Sequence, residues 1–258
     1  MASGMQKSFS EWMKKVSGAA GWIVLGSVVA SMSLTAIAQP VRASAAATGA
    51  PINARNHSAS KTVLVLGDSL SAEYGLARGT GWVPLLEKRL KAQGFDAPLQ
   101  NASVSGETTS GGKARLPALL QQYRPDIVIL ELGGNDGLRG LPMSSTQANL
   151  RDMVNLAKQN GARVLLLGMQ IPPNYGASYT QQFAQLYPNV AKETGASLVP
   201  FFLEGLQTRA DLFQSDRIHP TAAAQSMMLE NVWPLLQPML TAQAGIAASA
   251  KPEVAPIR

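Results

Sequence analysis

The chain contains no cysteine. That excludes a disulfide scaffold and every cysteine-ligated metal site. Histidine is nearly as scarce, with only His57 and His219 present. One imidazole in the folded region, backed only by carboxylates, is a poor ligand set, so no metal is expected. The chain has no Gly-x-Ser-x-Gly sequence, which removes the nucleophile elbow of α/β-hydrolases. Its first apolar run is not followed by Gly-x-x-x-x-Gly-Lys or Gly-x-Gly-x-x-Gly. A nucleotide-binding loop is therefore not indicated there, and no cofactor is expected.

The 258 residues and 46% hydrophobic content suit one domain with a substantial core. The net charge of +6 raises the question of a nucleic-acid or membrane partner. Its distribution answers it. Between Lys61 and Leu240 there are 15 Lys+Arg against 14 Asp+Glu. A nucleic-acid-binding domain concentrates basic charge on its folded surface, so no nucleic-acid partner is expected.

The N-terminus reads as a targeting segment. Lys7, Lys14 and Lys15 precede an uncharged stretch centred on Trp22-Ile23-Val24-Leu25, and small residues follow at Ala36-Ile37-Ala38 and Ala43-Ser44-Ala45. A signal peptide over 1–45, cut after Ala38 or Ala45, is the expectation, with an uncleaved anchor as the alternative. The protein is then periplasmic or secreted, and it meets a membrane only through that segment if it is uncleaved. Residues 46–60 read as a flexible lead-in, 61–240 as the folded domain and 241–258 as a disordered tail.

Within the domain, strands and helices alternate. Apolar runs at Thr62–Leu66, Pro98–Ala102, Asp126–Leu132, Arg163–Met169 and Ser197–Val199 predict five strands. Helical spacing appears at Trp82/Leu85/Leu86/Leu90 and Leu116/Leu119/Leu120/Tyr123. It recurs at Leu150/Met153/Val154/Ala157, Phe183/Leu186/Tyr187/Val190 and Met228/Val232/Leu235/Leu236. Such alternation implies a parallel sheet with helices on both faces, and ligands in such sheets bind beyond the carboxyl ends of the strands. Polar, glycine-rich segments fall there, at Gly67–Ser71, Ser103–Thr108 and Gly133–Asp136.

Because His57 lies in the lead-in, a catalytic imidazole in the domain is His219. Asp216 stands three residues before it. A serine nucleophile needs a base and a group that orients the base. Ser69, in Gly67-Asp68-Ser69-Leu70, sits where a buried strand turns into a loop. These residues alone leave open a surface turn with a chance Asp and His, and a loop or N-cap serine. Asp68 and Asp136 read as acceptors for backbone N–H groups, and Glu131, in a buried strand, needs a partner.

Taken together, Gly67-Asp68-Ser69-Leu70-Ser71, Gly106, Gly133-Gly134-Asn135-Asp136 and Asp216-x-x-His219 resemble the four blocks of the SGNH (GDSL) hydrolases. The stretches 133–140 and 170–176 resemble the branch of Gram-negative periplasmic esterases described as thioesterase I, arylesterase or lysophospholipase L1. The resemblance implies a flavodoxin-like α/β/α sandwich with about five parallel strands. It implies Ser69 as nucleophile, His219 as base and then acid, Asp216 as orienting group, and an acyl-enzyme. The oxyanion would be held by the N–H groups of Ser69 and Gly106 and the amide of Asn135. Substrates would be small acyl esters or thioesters, with lysophospholipids among them, acted on by a monomer. Arg139, Pro173 and Tyr175 are candidates for substrate contact. A carbohydrate O-deacetylase is the enzymatic alternative and a flavodoxin-like ligand-binding module the non-enzymatic one.

One position departs from the family pattern. The relatives usually read Ser-Ala-Gly-Tyr where this chain has Ser71-Ala72-Glu73-Tyr74. Either Glu73 adopts a backbone that favours glycine or the loop differs. Its carboxylate could also add negative charge at the mouth of the site. The targeting segment makes the first testable statement: N-terminal sequencing of the exported protein should begin at Gln39 or Ala46, and retention of Met1 on exported protein would contradict cleavage.

Overall fold

The structure, a computed structural model, describes residues 60–241. The expected signal peptide, nearly all of the expected lead-in and the expected tail beyond Thr241 lie outside the described residues. The five strands are β1 (Val63–Gly67), β2 (Leu99–Asn101), β3 (Ile127–Glu131), β4 (Arg163–Leu167) and β5 (Ser197–Val199). They form one sheet in the order β2-β1-β3-β4-β5, with every neighbouring pair parallel. β1 and β3 make the longest register, from Val63 opposite Ile127 to Gly67 opposite Glu131.

Both faces of the sheet are covered, which is why β1 and β3 are buried at every residue rather than alternately. The helices are α1 (Trp82–Ala92), α2 (Thr109–Tyr123), α3 (Gly134–Leu138), α4 (Met143–Gln159), α5 (Ala177–Thr194) and α6 (Gln225–Thr241). α1 packs against α6, while α2 packs against α4 and α4 against α5. The result is the expected α/β three-layer fold. Trp82 and Trp233 are both buried core residues, as their helical spacing implies.

Three details differ from the sequence reading. Gly133–Asp136 is not all loop: α3 starts there, with Gly133 as its N-cap at φ 112°. A Cβ at 133 would come within 2.5 Å of the Tyr187 hydroxyl, so the left-handed entry to α3 needs glycine. α6 runs to Thr241, one residue into the expected tail. Leu235, on the expected apolar face of that helix, is exposed.

A parallel sheet points all its strand ends one way. The segments after β1, β2, β3 and β5 therefore lie at one edge, over the point where the order turns from β1 outward to β2 and inward to β3. The rigidity of that edge rests on the central strands. Replacing fully buried Ile129 by alanine should cost about 2–5 kcal/mol. Urea unfolding should show this as a lower midpoint with an unchanged slope.

Candidate active site

The loop leaving β1 is shaped by backbone hydrogen bonds to Asp68 and Ser69. The Asp68 carbonyl accepts from Ser71 and Ala72 N–H groups at 3.3 and 3.0 Å, and the Ser69 carbonyl from Tyr74 N–H at 3.2 Å. Gly67 has no room for a side chain: a Cβ would lie 2.7 Å from both Glu131 Oε2 and Ser71 Oγ. The tight turn lifts Ser69 to the wall of a cavity of about 650 Å³.

His219 comes from the long segment between β5 and α6. An isolated antiparallel bridge between Phe213 and Pro220 closes its loop, helped by Gln214 N–H donating to the His219 carbonyl at 2.8 Å. Gln214 Nε2 then donates to the Tyr74 carbonyl at 2.9 Å, tying this loop to the one bearing Ser69. The Tyr74 ring lies against the imidazole with centroids 4.4 Å apart.

The imidazole links the two loops. Its Nδ1 is 2.7 Å from Asp216 Oδ2, and its Nε2 is 2.9 Å from Ser69 Oγ. Asp216 Oδ1 also accepts from the Ile218 and His219 N–H groups, at 2.9 and 3.0 Å. Burial works against the charged form of Asp216. The N–H groups of His219 and Ile218, and then the imidazole, outweigh it and hold the carboxyl at about 2. Asp216 is therefore ionised at neutral pH and acts as an acceptor. That puts a proton on Nδ1 of the neutral ring and leaves the Nε2 lone pair facing the serine hydroxyl.

Asn135 is in the first turn of α3, and Gly106 has φ 79° in the loop after β2. Ser69, Asn135 and His219 all line the cavity. Its walls include Leu70, Met169, Ile171, Phe201, Leu203 and Phe213. Of the three residues expected at the substrate, Pro173 lines the cavity. Arg139 and Tyr175 do not. The Arg139 guanidinium donates to the Gly106 carbonyl at 3.0 Å, and the Tyr175 hydroxyl donates to the Leu138 carbonyl at 3.1 Å.

Residues 65–227 match the GDSL-like lipase/acylhydrolase family. The chain belongs to that family. The esterase TesA of Pseudomonas aeruginosa is 53% identical over 182 residues, 70% of this chain and 90% of the relative. A solved structure of TesA superposes with a TM-score of 0.68 at 52% identity, covering 69% of this chain and 99% of that one. Thioesterase 1/protease 1/lysophospholipase L1 of Escherichia coli K12 is 41% identical over 182 residues, 70% of this chain and 86% of the relative. The esterase EstA from Pseudoalteromonas, solved with monoethylphosphonate as inhibitor, has a TM-score of 0.67 at 41% identity. It covers 70% of this chain and 100% of its own.

Within this family frame the three other acidic residues find defined places. Asp136 accepts from the Thr109 N–H and hydroxyl at 2.9 and 2.5 Å, fixing the start of α2. Asp68 accepts the Leu70 N–H on Oδ1 and the Asn135 amide on Oδ2, each at 3.0 Å. Fully buried Glu131 accepts from Ser71 Oγ at 2.7 Å and the Asp68 N–H at 3.2 Å, both on Oε2. Burial, and next the charge of Asp68, push the Glu131 carboxyl well up, so it stays protonated. Burial also raises Asp68, to about 6. The Leu70 N–H, the Asn135 amide, the imidazole and Glu131 limit the rise, in that order.

At the departure, Glu73 itself adopts the backbone that favours glycine. Glu73 has φ 59°, the left-handed region. Its carboxylate accepts the Gly79 N–H at 2.9 Å and the Gly81 N–H at 2.7 Å, which offsets the backbone strain. It is not among the residues lining the cavity, so the expected negative charge at the mouth is not found there. The sequence reading also missed Gln214, Tyr74 and the apolar walls from Phe201 to Phe213. These carry no local signal, because they act through contacts with segments distant in the chain.

Glu73→Ala keeps the left-handed backbone and loses the carboxylate. Glu73→Gly loses the carboxylate but also the strain. Thermal unfolding should therefore rank wild type above Gly above Ala, with Ala about 1–2 kcal/mol below Gly. An Ala variant as stable as the Gly variant would refute the strain.

Proposed function

We propose that this chain is an exported serine ester hydrolase that cleaves carboxylic ester and thioester bonds of acyl substrates at Ser69. The observation that carries this reading is the line of contacts Ser69 Oγ–His219 Nε2 (2.9 Å) and His219 Nδ1–Asp216 Oδ2 (2.7 Å) on the wall of a largely apolar cavity.

The chemistry follows from those positions. Ser69 Oγ attacks the acyl carbonyl as His219 Nε2 takes its proton, and Asp216 stabilises the resulting imidazolium. The carbonyl oxygen becomes an oxyanion, met by the N–H groups of Ser69 and Gly106 and by Asn135 Nδ2. Each such donor typically contributes about 2.7–4 kcal/mol. His219 returns its proton to the leaving alcohol or thiol as the C–O or C–S bond breaks. The acyl group remains on Ser69. Water then attacks with His219 again as base, releasing the acid and restoring the hydroxyl.

The walls of the cavity bear on the substrate. Met169, Ile171, Phe201, Leu203 and Phe213 favour an acyl chain over an acetylated sugar, because apolar surface is what they can bury. The names of the relatives support the same class: esterase, and thioesterase with lysophospholipase. Lysophospholipids fall within this reading, and so does action as a monomer. The basic, apolar and small-residue order of the first 45 residues supports a periplasmic or secreted location. Among the described residues no helix is long and apolar enough to cross a membrane.

A fluorophosphonate probe followed by peptide mapping tests the nucleophile directly. The label should sit on Ser69. Ser69→Ala should remove labelling and lower ester turnover by a factor on the order of 10⁴–10⁶, with the melting temperature retained. Labelling elsewhere, or turnover that survives the substitution, would end the assignment.

A further inference from the structure

The Asn135 amide is gripped at both ends. Its Nδ2 donates to Asp68 Oδ2 at 3.0 Å. Its Oδ1 is 3.5 Å from Arg139 Nη2, the same nitrogen that donates to the Gly106 carbonyl at 3.0 Å. An amide nitrogen carries two hydrogens. With one committed to Asp68, the direction of the other is set, and the amide cannot flip without losing both contacts. Asp68 is itself fixed: it is 3% exposed, and its backbone N–H is bound to Glu131. Its second carboxylate oxygen takes the N–H of Leu70, the residue after the nucleophile.

We propose that Asp68 and Arg139 are positioning residues that clamp the oxyanion donors: Asp68 aims the Asn135 amide, and Arg139 locks that amide to the Gly106 loop. The inference rests on the ester-hydrolase reading above. It gives Arg139 a role other than contact with a substrate headgroup.

Asp68 suits the task only as a carboxylate. Ionised, it accepts from Leu70 and Asn135 at once. An asparagine at 68 has one acceptor and one donor end, so it must lose either the Leu70 or the Asn135 contact. Protonation has a related effect, since it turns one oxygen into a donor. The groups facing Asp68 are Glu131 from β3, Asn135 from α3, the imidazole of His219 and, as an uncharged hydroxyl, Tyr187 from α5. With Glu131 protonated and Asp68 at about 6, the carboxylate is lost as pH falls through that value. Loss of the Asp68 carboxylate should then add its own fall in activity on the acid side. The acid limb of log kcat/KM should be steeper than one ionisation gives.

A double-mutant cycle tests the clamp. Ester hydrolysis by wild type, Asp68→Asn, Asn135→Ala and the double variant would be measured across pH, with folding checked by thermal melts. Asp68→Asn should lower kcat at least tenfold with KM little changed, and its acid limb should flatten to one ionisation. In the Asn135→Ala background the same change should have little further effect, because there is no amide left to aim.

Additive losses, or an Asp68→Asn enzyme with wild-type kcat and acid limb, would overturn the proposal. If Asp68→Asn folds poorly, the cycle of Arg139→Ala with Asn135→Ala asks the same question from the exposed end of the amide. Non-additive loss supports the clamp, and additive loss or no loss defeats it. A wild-type protein without Ser69-dependent turnover would instead bring down the reading beneath it. Ser69-dependent turnover with additive cycles would bring down the clamp alone.

Discussion

The hydrogen bond between the Ser69 hydroxyl and the His219 ring joins residues 150 apart in the chain. A contact of that separation exists only if two loops are carried to one place and held there. The parallel sheet does the carrying, since all its strand ends face the same edge. The holding is done by smaller contacts: the Phe213–Pro220 bridge, the Gln214 amide on the Tyr74 carbonyl, and the ring of Tyr74 against the imidazole. Without them His219 would sit on a long segment with only the short 3-10 turns Ala210–Leu212 and Ala222–Ala224 to fix it.

The acidic residues around that contact divide by environment. Asp216 is partly exposed and receives two backbone N–H groups as well as the imidazole, so its charge is stabilised and the ring tautomer is set. Asp68 and Glu131 lie beneath the loop that carries Ser69, with little access to water. Burying two charges side by side is costly, and the pair responds by keeping Glu131 neutral. One charge is then left, on Asp68, next to the Asn135 amide and the Leu70 N–H. The same buried pair supports the turn structurally, through Ser71 and the indole of Trp82, whose Nε1 donates to Ser71 Oγ at 3.2 Å.

Glu73 illustrates how the loop tolerates a change of residue type. A glycine-favouring backbone angle is adopted, and the side chain is used to hold two N–H groups further along. The loop that carries Ser69 thus takes a left-handed residue with a side chain and ties that side chain down. Glycines 67 and 133 leave no such latitude, because a Cβ at either would meet a fixed polar group at hydrogen-bonding distance or closer.

Much of the protein was legible in its amino-acid order. The apolar runs defined five strands because a sheet covered on both faces needs continuous burial, and the helical spacing of Trp82 to Leu90 or Leu150 to Ala157 defined the layers. The scarcity of histidine narrowed the candidate base to His219, and the short blocks around Ser69, Gly106, Asn135 and Asp216 marked the family. Other features were decided only in three dimensions. The strand order, the helical start at Gly134, the apolar walls from Phe201 to Phe213, and the placement of Arg139 on the Gly106 carbonyl rather than in the cavity leave no local trace. Periodicity and turn chemistry act over a few residues and can be read along the chain. Which loop meets which, and which carboxylate keeps its charge, depend on burial and on partners supplied by distant segments, and these exist only after the sheet has formed.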